Sequence, residues 1–255
     1  MLVTGFGPFE ERRFNPSRAI AAALARDPPP GVRVRSHELP VSFVRAPRAV
    51  ERFVDRHARS RPVLLLGLGL QKQGGFRFET CARGRTSTER TDNDGVAGAS
   101  LAGRTGPTLR TGMDVRALAR LLRASGARKV RVSDDAGGYV CERTYRALLE
   151  AGRKHGIDAV FLHVPPARCV RTSTQVRFVR AMLAAWSSSG LTRARATDAR
   201  RRSSGSSSRR HGTRARSRGR RVPCSARPPR ARPARAAPSR ARRASRGPAV
   251  AASGS

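Results

Sequence analysis

Apolar positions in the first 186 residues follow two spacings, and each spacing predicts a different kind of element. Short apolar runs bounded by glycine and proline predict strands, and the continuous run 63–66 is expected at the centre of a sheet. Apolar residues three or four positions apart predict amphipathic helices, and Ser17 is the predicted N-cap of the first one. The predicted strands cover 2–4, 32–35, 63–66, 76–82, 130–132 and 157–164, and the predicted helices cover 18–27, 50–57, 115–122, 141–154 and 176–186.

Strands and helices follow one another in turn along this part of the chain. Such alternation is typical of an α/β fold, in which helices cover both faces of a sheet. Ligands in folds of this kind bind beyond the carboxyl ends of the strands. Residues that end or follow a predicted strand are therefore the first candidates for chemistry.

The pattern stops at Trp186, and the remaining 69 residues have a different composition. They contain 20 arginines, no lysine, no aromatic residue and one acidic residue, Asp198. Leu191, Val222 and Val250 are their only large aliphatic residues, too few to offset the entropy of ordering the segment. We therefore expect one folded domain in 1–186 and a disordered tail, rich in Arg, Ser, Pro and Ala, in 187–255.

Two interpretations of this tail stay open. The whole chain has a formal net charge of +36, and arginines that contact phosphates release counterions, so a basic tail would bind nucleic acid non-specifically. The segment lacks the aromatic residues on which bases stack. Alternatively, 50 arginines against three lysines indicate a GC-rich coding sequence, and translation out of frame would produce this composition.

Several classes of protein do not match the sequence. The longest strongly apolar run, 63–70, is about a third of the length that a membrane-spanning helix needs. The first residues lack the basic and apolar regions of a secretory signal. Four cysteines, at 81, 141, 169 and 224, have neither the spacing of metal ligands nor the density of a disulfide scaffold. We expect a cytoplasmic protein with free thiols, no metal and no membrane partner.

Three reactive side chains end or follow predicted strands: Glu79, Cys141 and His163. Cys141 follows a glycine turn and opens a helix, where unpaired N–H groups and the helix dipole are expected to lower its pKa. A histidine can accept the thiol proton and return it to a leaving amine, and a carboxylate can orient that histidine. Each of these residue types is also common in ordinary cores and surfaces, so the residues alone leave both interpretations open.

Motifs in the same part of the chain resemble those of the pyroglutamyl peptidase I family, which are cysteine peptidases. The matching segments occur in the family's order across residues 1–186, and the cysteine and histidine motifs are the most specific of them. The segments are VTGFGPF at 3–9, NPS at 15–17, LPV at 39–41, the segment around Glu79, DNDG at 92–95, AGGYVC at 136–141 with Tyr145 beyond it, and FLHVP at 161–165.

The resemblance implies a three-layer α/β/α sandwich with a twisted, mostly parallel central sheet, often assembled as a homotetramer. It implies removal of an N-terminal pyroglutamyl residue from peptides through a thioester acyl-enzyme, with no metal or organic cofactor. By the same resemblance Cys141 is the nucleophile, His163 the general base and acid, and Glu79 the third member of the triad. Phe6 and Phe9 match positions that flank the pyrrolidone ring, and a flat, neutral lactam suits an apolar slot.

The chain departs from the family pattern around this site. Gln73, six residues before Glu79, occupies a position where the family usually has an arginine. Arg90 is displaced from the position of a second family arginine, and Glu142 occupies the position of a family asparagine. These changes predict a divergent member with altered pocket walls. The alternative function is a catalytically inactive, peptidase-like protein whose basic tail binds nucleic acid. The presence of all three catalytic residue types favours the peptidase.

Overall fold

The residues whose structure is described here are 1–9, 14–86, 88–101 and 106–189 of a computed structural model. From residue 190 onward the predicted tail lies outside them. No helix within these ranges is long and apolar enough to cross a membrane.

Strands and helices alternate along the described chain. The strands are β1 (Leu2–Phe6), β2 (Arg35–Leu39), β3 (Leu64–Leu70), β4 (Phe76–Glu79), β5 (Cys81–Ala82), β6 (Leu109–Arg110), β7 (Val130–Ser133) and β8 (Asp158–Val164). The α-helices are α1 (Pro16–Arg26), α2 (Arg45–His57), α3 (Val115–Ala124), α4 (Val140–His155) and α5 (Thr172–Ser188). Short 3-10 helices cover Ala58–Ser60 and Gly98–Leu101.

Six strands form the main sheet in the order β2-β1-β3-β8-β4-β7, and β5 and β6 form a separate antiparallel pair. Neighbours in the main sheet are parallel, except that β4 runs antiparallel to β8. β8, the last strand among the described residues, thus lies at the centre of the sheet. The expected α/β class with a mostly parallel sheet is confirmed, with one antiparallel junction that the sequence did not predict.

Alternate residues of each strand face different helix layers, because side chains alternate across a sheet. Leu64 and Leu66 belong to the core that α1, α3 and α5 cover, and Trp186 of α5 is buried there. Leu65 belongs to the core under α2 and α4. Each face of the sheet therefore has its own apolar core, which confirms the three-layer sandwich.

Two local predictions are wrong. Asn15, rather than Ser17, caps α1, because the Oδ1 atom of Asn15 accepts a hydrogen bond from the Ser17 N–H at 3.1 Å. The strand predicted at 32–35 begins only at Arg35, whose N–H donates to the carbonyl oxygen of Met1. Val32 instead closes a turn onto the carbonyl of Pro29, so the alternation at 32–35 lies mostly before the strand.

Candidate active site

A cleft of about 270 Å³ opens at the carboxyl edge of β1, β3 and β8. Phe6, Leu70 and His163 lie at or near the ends of these three strands and line the cleft. Cys141 lines it from the start of α4. The structure therefore brings the predicted nucleophile and the predicted base to one opening.

Glu79 holds His163 from within the sheet. Its Oε1 atom lies 2.7 Å from Nδ1 of His163, and neither side chain has more than a few per cent of its surface exposed. A carboxylate only accepts hydrogen bonds, so Nδ1 carries the proton of the neutral ring and Nε2 keeps its lone pair. This is the tautomer that a general base requires.

The antiparallel pairing of β4 with β8 explains how Glu79 reaches the histidine. The register places Arg77 opposite His163 and Glu79 opposite Phe161. Glu79 is therefore a diagonal neighbour of His163 on the same face of the sheet. Glu79 ends its own strand, but β4 runs against β8, so that end lies beside the middle of β8 and not at the carboxyl edge where the cleft opens.

Cys141 is the second residue of α4, and its sulfur lies directly over β3. A Cβ atom at Gly69 would lie 3.0 Å from Sγ of Cys141 and 2.8 Å from ring carbons of Phe161. Gly69 is the register partner of His163 in the neighbouring strand. The missing side chain at position 69 thus leaves room for the sulfur beside the neighbouring strand, which carries His163.

Burial dominates the protonation of both groups. It raises the pKa of the Cys141 thiol to about 12, with the Glu79 carboxylate adding to the increase, although part of the residue is open to the cleft. Burial also lowers the pKa of His163 below its ordinary value, against the opposing influence of Glu79. The expected lowering of the Cys141 pKa by the helix start is therefore wrong, because desolvation outweighs it. The resting pair at neutral pH is a thiol and a neutral imidazole.

Arg77 belongs to this site, although no motif pointed to it. Its Nε–H donates to Oε1 of Glu79 at 2.6 Å, and a second guanidinium nitrogen lies 3.4 Å from Nδ1 of His163. The available signal was its spacing of two residues from Glu79, because residues at that spacing on a strand share a face.

Aromatic side chains form one wall of the cleft. Phe6 is buried, Phe9 is half-buried, and both line the cleft. Tyr139, which the sequence did not single out, has its ring centroid 6.1 Å from that of Phe9 and 5.2 Å from that of Phe43. The guanidinium of Arg90 stacks 5.5 Å from the Phe9 ring and 4.9 Å from the Tyr139 ring. The wall is thus apolar, with a cation packed against it.

Side chains of two other motifs anchor the loop that leads to Phe9. Nδ2 of Asn15 donates to the carbonyl oxygen of Gly7 at 3.0 Å, and Nδ2 of Asn93 donates to that of Pro8 at 2.9 Å. These bonds tie the 15–17 and 92–95 motifs to the cleft, and Asn15 itself lines it. Both motifs therefore help to hold the loop before Phe9 in place at the cleft.

Glu142, the residue after Cys141, ties the start of α4 to the loop around Gly84. Its Oε1 atom accepts the Gly84 N–H at 2.6 Å, and burial raises the pKa of its carboxyl. Arg83, from the same loop, pairs with Asp134 and Asp135 at 3.0 Å each. This network connects the chain after β4 to the segment that leads from β7 to Cys141.

The assembled groups suit acyl transfer. Cys141 and His163 line one cleft, and the buried Glu79 carboxylate is bonded to that histidine; these are the groups that nucleophilic catalysis uses. The start of a helix presents backbone N–H groups that can stabilise an oxyanion, and Cys141 lies at the start of α4, where the Glu142 N–H is already bonded to the carbonyl of Tyr139 at 3.0 Å. Among the described residues, no group of three or more His, Cys, Asp and Glu side chains could hold a metal ion.

Comparison with known proteins gives one consistent family. The pyroglutamyl peptidase model matches residues 1–176. A pyrrolidone-carboxylate peptidase of Gloeobacter violaceus is 30% identical over 179 residues, which cover 67% of this chain and 84% of that protein. Pyrrolidone-carboxylate peptidase 1 of Ralstonia nicotianae is 30% identical over 174 residues, covering 65% and 77%. The crystal structure of a pyrrolidone carboxyl peptidase from Fervidobacterium islandicum matches with a TM-score of 0.63 and 26% identity, covering 73% of this chain and 97% of that one.

Proposed function

Because this chain belongs to the pyroglutamyl peptidase family of cysteine peptidases, we propose that it removes the N-terminal pyroglutamyl residue from peptides. The observation that carries the proposal is the cleft in which Cys141 faces the end of the strand that bears His163, with Glu79 bonded to Nδ1 of that histidine. We assign Cys141 as nucleophile, His163 as general base and acid, and Glu79 as the residue that orients His163.

Acylation begins from the thiol and the neutral imidazole. Nε2 of His163 accepts the thiol proton while Sγ of Cys141 attacks the carbonyl carbon of the pyroglutamyl residue. The carbonyl oxygen becomes an oxyanion near the backbone N–H groups at the start of α4. When the intermediate collapses, the bond from carbon to the peptide nitrogen breaks, and the imidazolium returns the proton to the leaving amine. A thioester remains on Cys141.

Deacylation uses the same groups in the same roles. Nε2 of His163 takes a proton from a water molecule, whose oxygen attacks the thioester carbon. The bond from carbon to sulfur breaks, free pyroglutamic acid leaves, and Cys141 recovers its proton from the imidazolium. Glu79 stabilises the imidazolium that exists between the two proton transfers in each step, because its carboxylate lies 2.7 Å from Nδ1.

The aromatic wall supplies the basis for recognition. We propose that Phe6 and Phe9 flank the pyrrolidone ring, because a neutral, planar lactam loses less hydration in an apolar slot than a charged ring does. A ring with a charged secondary amine, such as an N-terminal proline, would lose far more. The wall therefore favours the lactam over its charged analogue.

The test is an assay of the full chain with a pyroglutamyl chromogenic amide. Cys141→Ser is expected to reduce kcat/KM by at least ~10³-fold, since the nucleophile is lost. Cys169→Ser is the matched control, because Cys169 is an exposed free cysteine and does not line the cleft. Activity that survives Cys141→Ser, or that falls equally in Cys169→Ser, would contradict the assignment.

We further propose that residues 1–186 form the catalytic domain and that 187–255 contribute nothing to hydrolysis. The family model ends at residue 176, the cleft is built from residues 6–163, and α5 ends at Ser188. A chain truncated after Ser189 keeps the whole of α5. It is expected to retain the kcat/KM of the full chain, and a large loss would assign a catalytic role to the tail.

A further inference from the structure

The register of the sheet places Arg77 next to both Glu79 and His163. It is the direct cross-strand partner of His163 in the antiparallel pair of β4 and β8. Because it lies two residues before Glu79 on the same strand, its side chain shares the face on which Glu79 and His163 meet. One strand therefore delivers both an anion and a cation to the same histidine.

The contacts of Arg77 place its charge between the buried acid and the cleft. Nε donates to the same Glu79 oxygen that binds His163, at 2.6 Å, and a terminal nitrogen lies 3.4 Å from Nδ1 of His163. The side chain of Glu79 is fully buried, whereas that of Arg77 is 25% exposed and lines the cleft. Among the described residues, Arg77 and His163 are the basic groups within ion-pair distance of Glu79.

A buried carboxylate without a counter-ion would oppose the reaction. The attack places negative charge on the sulfur of Cys141 and then on the substrate oxygen, so an unbalanced anion beneath them raises the energy of both. The same anion would draw a proton onto His163 before the thiol can give up its own. A cation on Glu79 removes both obstacles.

We propose that Arg77 is a charge-balancing and positioning residue of the catalytic centre: it neutralises Glu79, so that His163 rests as a neutral base and negative charge can develop on Cys141. Glu79 then still orients the ring through Nδ1, but the centre as a whole carries no net charge before attack. The proposal rests on the function proposed above, in that Cys141 and His163 are taken as nucleophile and base.

The electrostatic surroundings agree with this role. Arg77 lowers the pKa of both His163 and Cys141, whereas Glu79 raises both. Within the described ranges, the other charged groups near the pair are Glu142, on the helix that carries Cys141, and Lys72 and Arg90, which line the cleft. The neighbouring strand β3 brings Gly69 to His163 and adds no charge there.

The experiment compares the full chain with Arg77→Met, Arg77→Lys and a control, Arg131→Met. Arg131 is exposed and is the cross-strand partner of Arg77 on β7. Its substitution by methionine removes the same charge as Arg77→Met, but from a side chain that does not pair with Glu79. Two curves are measured as a function of pH: kcat/KM with a pyroglutamyl amide, and the rate of Cys141 alkylation by iodoacetamide, followed by mass spectrometry. The second curve reports the thiol whether or not the chain hydrolyses that amide.

In Arg77→Met the acid limb of kcat/KM and the alkylation curve are both expected to move up by roughly one pH unit, since a cation within ~4–6 Å is lost. Arg77→Lys restores the charge and is expected to keep both curves near those of the unmodified chain, with a lower kcat from the lost fork geometry. Arg131→Met is expected to leave both curves in place.

Three results would overturn the proposal. They are curves that stay in place in Arg77→Met, an equal shift in Arg131→Met, and a shift in Arg77→Lys as large as that in Arg77→Met. If Arg77→Met does not fold, Arg77→Gln takes its place with the same expected shift, because glutamine can still donate to Glu79 but carries no charge. Loss of hydrolysis in every form, with the alkylation curve shifted as stated, would refute the pyroglutamyl assignment and leave the role of Arg77 standing.

Discussion

Replacing Gly69 by alanine tests whether the sulfur of Cys141 needs the empty position beneath it. The added methyl group would lie 2.8 Å from ring carbons of Phe161 and 3.0 Å from Sγ of Cys141. Restoring ordinary contacts requires movements of roughly half an ångström or more. Phe161 is fully buried, with the rings of Tyr145 and His163 centred 5.5 and 5.0 Å from its own, so we expect the start of α4 and its sulfur to shift.

The expected size of the effect follows from this crowding. Overpacking of a core costs typically ~1–3 kcal/mol, which lowers the melting temperature of the domain. A nucleophile displaced by part of an ångström loses alignment with the scissile carbonyl, and kcat/KM is expected to fall roughly 10- to 100-fold. The fall should appear mainly in kcat, because the substitution does not touch the aromatic wall that we propose flanks the ring.

Two further glycines supply the comparison. Gly74→Ala is the control, since the atoms nearest to its added carbon belong to Cys169, at 3.6 and 3.8 Å, an ordinary contact. Gly67→Ala would bring a carbon to 2.5 Å from Leu148 and Phe161, so it should destabilise the fold without meeting the sulfur. Melting temperature and kcat/KM are measured for all three. A Gly69→Ala protein that is destabilised like Gly67→Ala but keeps full activity would refute the close approach of sulfur and strand.

Four other results are expected. Tyr145→Phe removes the hydroxyl that donates to the Glu79 carbonyl at 2.9 Å, so chemical denaturation should show a loss of roughly 1–2 kcal/mol in unfolding free energy, and an unchanged value would contradict the bond. The pKa of His163 is lower in the folded protein than in the unfolded chain. At a pH just below the ordinary pKa of histidine, this side chain is therefore protonated in the unfolded state but not in the folded one. Stability should therefore fall as the pH drops through that range, less steeply in His163→Gln. Iodoacetamide at neutral pH should label exposed Cys169 before Cys141, because the pKa of Cys141 is raised; mass spectrometry showing the reverse would contradict a resting thiol. A pyroglutamyl amide should be hydrolysed faster than the prolyl amide, because each hydrogen-bond donor of the pocket that proline leaves unpaired costs roughly 1–3 kcal/mol. Equal rates would refute the lactam preference.

Much of the fold was predictable because burial leaves a clear periodic signal. The run that contains Leu64–Leu70 is apolar on both faces, as expected of a strand covered by two helix layers. The strand register left no such signal. Nothing in the segment around Glu79 shows that β4 runs against β8, since an isolated strand has the same pattern in either direction.

The candidate site was predictable to the extent that its chemistry is carried by unusual residues. Cys141, His163 and Glu79 stand out as reactive side chains next to strands, and Phe6 and Phe9 stand within a motif. Arg77 did not stand out, because one arginine among 50 carries no information until its cross-strand partner is known. The protonation of Cys141 was mispredicted for a related reason: a helix start is visible in the sequence, whereas burial is not.

The position of β8 at the centre of the sheet has a consequence for how the chain folds as it is synthesised. β1, β2 and β3 can pair as soon as they emerge, and so can β4 and β7, but these two halves meet only through β8, which begins at Asp158. Until that strand arrives, β3 and β4 each leave an open edge that invites pairing with other chains. Chains interrupted before Asp158 should therefore aggregate rather than persist as partly active protein. The strand that closes the sheet is also the one that carries His163, so the sheet and the candidate site are completed by the same event.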